Sequence, residues 1–114
     1  MSLNTLRTQL RTFAAEREWQ QFHSPKNLAM ALSVEAAELM EHFQWLTEEQ
    51  SRNLPPQTLA AVSHELADVL LYLVQLADGL GLDLLQAAQV KLAINEAKYP
   101  ADKARGKHLK YDQL

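Results

Sequence analysis

Ser33-Val34-Glu35-Ala36-Ala37-Glu38-Leu39-Met40-Glu41 reads as the middle of a helix, yet it sets acids among Leu, Val, Met and Ala. At about 100° and about 1.5 Å per residue, Glu35 and Glu38 lie roughly 60° apart in projection and about 4.5 Å apart along the axis. Their carboxylates can converge on one point. His64-Glu65-Leu66-Ala67-Asp68-Val69-Leu70 repeats the spacing with Glu65 and Asp68, inside an even more apolar run. Two such pairs, on two helices able to pack against each other, ask for a cation.

Outward from the first stretch, Leu28, Leu32, Leu39 and Phe43 extend the helix in both directions. Ser24-Pro25 supplies an N-cap and a first-turn proline, so the helix is expected to begin there and to reach about Trp45 or Leu46. Before it, Leu6, Leu10, Phe13 and Ala14 recur at helical intervals and predict an amphipathic first helix from Leu3 to about Trp19. After it, Thr47-Glu48-Glu49-Gln50 resembles a capping box opening a short helical turn. Leu54-Pro55-Pro56 breaks the chain, because neither proline donates a backbone hydrogen bond.

The acids Glu65 and Asp68 belong to a helix expected from about Gln57 to Asp78. Its apolar residues surround most of the circumference, which marks it as the central, most buried helix. Gly79-Leu80-Gly81 stops it. Asp83 and Gln86 open a last long helix, which Pro100 ends near Tyr99. Ala101 to Leu114 is polar and rich in Lys and Arg, and reads as a tail with little structure of its own. The expected fold is all-α, a four-helix-bundle type of single domain over residues 1–114, with 100–114 as a short basic tail.

Bulk properties agree with one globular domain. The chain has 114 residues, 47% of them hydrophobic and 22% charged, enough for one core. A formal charge of -3 makes no case for nucleic-acid binding. With no cysteine, disulfides and thiolate metal sites are excluded, and the chain suits a reducing interior. The N-terminus has no signal pattern, and no apolar run approaches the roughly 20 residues that span a bilayer. The default expectation is a soluble cytoplasmic domain without membrane partners.

Acids three residues apart on a helix mostly sit on a solvated face, and Glu35 with Glu38 alone would fit that description. Glu65 and Asp68 fit it badly, because Val69-Leu70-Leu71-Tyr72-Leu73-Val74 follows them directly. Burying an unpaired carboxylate costs several kcal/mol, and converging carboxylates also repel. A divalent cation removes both penalties. All-oxygen ligation favours Mg²⁺ or Mn²⁺ over zinc. Carboxylate-bridged iron is disfavoured, since no Glu here is followed three residues later by His.

Mg²⁺ commonly works with phosphate-bearing substrates. Lys91, Asn95 and Lys98 share one face of the last helix with Tyr99 beside them, a pattern that fits phosphates or an ordinary solvated basic face. Trp19, Phe22, His23 and Trp45 flank the ends of the first two helices, where an aromatic slot would stack a base or simply pack a hinge.

These residues resemble the MazG-like all-α nucleotide pyrophosphohydrolases, whose signature is Glu-x-x-Glu followed after a gap by Glu-x-x-Asp. Glu35, Glu38, Glu65 and Asp68 match it. The resemblance is greatest to the dCTP pyrophosphatase branch, through Trp19 to Leu28, Glu38 to Trp45, Glu65 to Leu73, and Lys91 through Asn95 to Pro100. Arg105-Gly106 and Lys110-Tyr111 extend it, so it covers nearly the whole chain. It implies hydrolysis of a nucleoside triphosphate to monophosphate and pyrophosphate. The four acids would bind Mg²⁺, with Glu38 also handling the attacking water and Glu41 a candidate additional ligand. Trp19 and Trp45 would contact the base, and Lys91, Asn95 and Tyr99 the phosphates or sugar, with Lys98 adding charge. The branch also implies a tetramer built from dimers, with sites lined by more than one chain. Other readings are the same reaction on dUTP or phosphoribosyl-ATP, and a non-catalytic helical module holding metal for structure.

Overall fold

A computed structural model describes all residues, Met1 to Leu114. The chain is helical with no strand: α1 Leu3–Glu16, α2 Pro25–Glu41, α3 Glu48–Arg52, α4 Pro56–Gly79, α5 Leu84–Lys98 and α6 Ala101–Ala104, with short 3₁₀ turns at Gln20–Phe22 and Tyr111–Gln113. The four long helices are those the periodicity predicts. They divide into two compact units, Met1–Gly81 and Leu82–Leu114.

Helix starts follow their caps. The Ser2 hydroxyl accepts from the Thr5 amide at 3.1 Å, Ser24 from Asn27 at 3.2 Å and Asp83 from Gln86 at 3.0 Å. Thr47 and Gln50 close a reciprocal capping box at 3.0 and 3.1 Å. Each satisfies amides that the first helical turn leaves without partners. The expected break at Leu54-Pro55 separates α3 from α4, and Pro56 is the first residue of α4, where its missing amide costs nothing.

Two boundaries differ from expectation. Helix α2 stops at Glu41 because the His42 and Phe43 amides bond three residues back, to Leu39 at 3.3 Å and to Met40 at 2.9 Å, which tightens the last turn. Helix α1 stops at Glu16 in a Schellman closure, with Trp19 N–H on the Ala14 carbonyl at 2.9 Å and Glu18 N–H on Ala15 at 3.1 Å. Glu18 occupies the left-handed position of that closure, at φ 56°. The tail also holds more structure than expected: α6 and the second 3₁₀ turn lie within it.

In the first unit, α4 packs against α2 and α1. The core is small: Ala14, Leu28, Val62, Val74 and Ala77. Three of these lie on α4, yet Leu59, Leu66 and Leu70 of the same helix are 56%, 54% and 39% exposed. The apolar surface of α4 is therefore only partly covered within one chain. By length and composition α4 is also apolar enough to cross a membrane, with a mean hydropathy of 1.4, contrary to the reading of uninterrupted runs. Its mid-helix charges Glu65 and Asp68 would each cost about 2.5–3.5 kcal/mol there, and Glu65 belongs to the acidic cluster described next.

Candidate metal and nucleotide site

The contact of α2 with α4 brings Glu35, Glu38 and Glu65 together, with one ligand oxygen from each lying within 4.8 Å of the others. All three are half-buried. The Oε2 atoms of Glu35 and Glu65 are buried without a hydrogen-bond partner. Such orphaned oxygens are costly to leave dry. Burial first, then the neighbouring Glu38 and Glu65 carboxyls and the charge of Asp68, push the Glu35 carboxyl up to about 7. A cation at this point would supply the missing partner and relieve the repulsion. The donor set is all oxygen, which fits Mg²⁺ or Mn²⁺.

Asp68 is half-buried one turn beyond Glu65, outside the close trio, and acts on Glu35 through its charge. Glu41 is exposed and also outside the trio.

The aromatic residues do not gather in one place within a chain. The Schellman closure after α1 turns Trp19 back toward its own helix, edge-on to Phe13 at 5.7 Å and to His23 at 6.2 Å. Arg17 caps the Phe13 ring at 3.7 Å. Trp45 is 87% exposed, four residues past the end of α2. Helix α2 runs about 25 Å between that end and the turn carrying Trp19.

His23 lines a cavity of about 180 Å³ in the first unit, with Leu10, Leu28 and Val74 as apolar wall and Arg7, Arg11, Gln20, Gln75 and Asp78 as polar rim. Leu28 lies seven residues before Glu35, about 10 Å along α2, so the cavity opens two turns from the acid cluster. Arg7 presents a buried, unpartnered Nε. Arg11 clasps Asp78 with both ends of its guanidinium, Nε at 2.8 Å from Oδ2, and holds that carboxyl below its usual range. The sequence did not single out Arg7 and Arg11. Their only signal is the i,i+4 spacing that puts both on the same face of α1.

In the second unit, Lys91, Asn95 and Lys98 lie on α5 and Tyr99 is its C-cap, donating its amide to the Asn95 carbonyl at 2.8 Å. Asn95 is half-buried, whereas Lys91 and Lys98 are exposed.

The MazG-like family profile matches residues 30–114. dCTP pyrophosphatase 1 of Mus musculus is 48% identical over 104 residues, and that of Homo sapiens 47%; each match covers 90% of this chain and 61% of the relative. The chain thus spans about three fifths of the length of those relatives. The crystal structure of a pyrophosphatase from Archaeoglobus fulgidus is 39% identical, with a TM-score of 0.81 over 85% of this chain and 91% of that one. By profile, identity and fold together, this chain belongs to the MazG-like family.

Proposed function

We propose that this chain is a Mg²⁺-dependent nucleoside triphosphate pyrophosphohydrolase that converts dCTP or a modified dCTP to the monophosphate and pyrophosphate, cleaning the nucleotide pool. The observation that carries the reading is the Glu35, Glu38 and Glu65 trio with its two orphaned buried oxygens. The relatives named dCTP pyrophosphatase 1 supply the substrate class.

In this reading Glu35, Glu38, Glu65 and Asp68 hold the cation. When bound, Mg²⁺ neutralises charge on the phosphate oxygens and on the departing pyrophosphate. Glu38 positions the attacking water and takes its proton as the bond between the α and β phosphates breaks. Trp19, His23 and Trp45 contact the base. Lys91, Asn95 and Tyr99 contact the phosphates or sugar, and Lys98 adds a point charge. Trp19 and Trp45 lie at opposite ends of one α2. A base held by both therefore draws them from different chains, which supports a homotetramer built from dimers. The absence of cysteine suits a cytoplasmic setting.

The test is to incubate the purified chain with a panel of nucleoside triphosphates and Mg²⁺ and to identify the products. Monophosphate plus pyrophosphate, fastest from dCTP, is expected. Diphosphate plus phosphate would contradict the bond assigned, and full turnover in excess EDTA would remove the cation. Glu38→Gln is expected to lose about 10²–10⁴-fold in kcat, the range of general-base catalysis; a folded variant at full rate would move the base elsewhere.

A further inference from the structure

The tail returns onto the end of α5. After Pro100 and α6, the chain turns at Gly106, in the left-handed region at φ 74°, where a side chain would be strained. It then comes back so that the Tyr111 ring meets two consecutive side chains. The Lys98 ammonium stands 4.8 Å from the ring centroid, and the Tyr99 ring meets it edge-on at 6.3 Å and 87°. Leu114 and Tyr111 line one cleft with Ile94 and Lys98.

We propose that Tyr111 is a positioning residue for the phosphate-binding face of α5, acting through Lys98 and Tyr99; the inference rests on the reading above of that face. Lys98 makes no ion pair in the structure and carries four rotatable side-chain bonds. Free in solvent, it would have to be ordered at the moment an anion binds, at a cost in rotamer entropy. The π-face of Tyr111 attracts the ammonium without using its hydrogen-bond donors. Lys98 is thus ordered in advance while its N–H groups stay available to a phosphate. The edge-on contact fixes Tyr99 in the same way. One ring from the tail therefore preorganises two groups on the helix, which gives the otherwise polar tail a role in the reaction.

The experiment measures binding of inorganic pyrophosphate with Mg²⁺ by calorimetry, alongside KM and kcat for dCTP, in the full chain. Tyr111→Leu is expected to weaken pyrophosphate binding and raise KM about fivefold, the scale of an exposed cation–π contact plus an aromatic edge, with kcat nearly unchanged. Tyr111→Phe keeps the ring and should restore most of the loss. In a Lys98→Met background, Tyr111→Leu should cost less than it does alone, because the share acting through Lys98 is already gone and only the contact with Tyr99 remains to lose. In nuclear magnetic resonance spectra, the Lys98 ε-methylene protons should sit upfield under the ring current and move back in Tyr111→Leu. Fully additive losses, an unchanged pyrophosphate affinity, or a Phe variant as weak as the Leu variant would each overturn the proposal. A wild-type chain that binds pyrophosphate but hydrolyses no triphosphate would sink the enzymatic reading, and the binding arm would still decide the role of Tyr111.

Discussion

Glu35 shows how much one side chain depends on its neighbours. Its carboxyl is pushed up to about 7, chiefly by burial and then by Glu38 and Glu65, from an unfolded value of 4.5. The folded chain without a cation therefore binds more protons than the unfolded chain between those values, and stability must fall as pH rises through that window. In EDTA, the melting temperature is expected to decline from about pH 5 to about pH 8, as far as this group decides it. Saturating Mg²⁺ should flatten the decline, because the cation and the proton compete for the same oxygens. Thermal melts across pH, with and without Mg²⁺, check this; a Glu35→Gln variant that keeps the EDTA decline would assign it to another group. The spacing of Glu35, Glu38, Glu65 and Asp68 was legible in sequence, since helical geometry alone fixes which acids share a face. Which three come within reach of one point, leaving Asp68 a turn away, was not, because it depends on the register of α2 against α4.

At the scale of elements, polar caps carried most of the information. Ser24, Thr47 and Asp83 each stand where a helix begins, because a side-chain oxygen satisfies amides that nothing else reaches. Helix ends were harder to place. Neither the stop of α1 at Glu16 nor that of α2 at Glu41 has a glycine to announce it. Glu18 fills a left-handed position in which a Cβ is disfavoured by about 1–2 kcal/mol. Glu18→Gly is expected to stabilise the fold by about 0.5–1 kcal/mol, once glycine's greater freedom in the unfolded chain is subtracted. Denaturant unfolding with an unchanged slope checks this. An equal loss of stability would show that the Glu18 side chain holds the turn. That turn aims Trp19 at Phe13 and His23, so strain at one residue sets the direction of the next.

For the whole molecule, the notable quantity is how little a single chain buries. Five residues form the core, while Leu59, Leu66 and Leu70 run along α4 at intervals of seven and four, all exposed. A stripe with that spacing is a helix-packing face, and in our reading a second copy covers it. The wild type is expected to sediment well above its chain mass of 12.9 kDa. Leu59→Asp should raise the dissociation constant at least about tenfold, the equivalent of about 1.5 kcal/mol of lost burial. A wild type that sediments as a monomer would end the tetramer reading. Sequence by itself determined the four long helices, where they begin, the acid pairs and the family resemblance. The first three rest on local geometry, either the 3.6-residue period or a cap within three residues of its target, and the resemblance rests on motifs matched along the chain. Tertiary structure decided which acids meet, where α1 and α2 stop, that Arg7, Arg11 and His23 rim one cavity, and that Tyr111 returns to Lys98. Those outcomes depend on contacts between residues distant in the chain or on turns without a signature residue, and no local pattern encodes either.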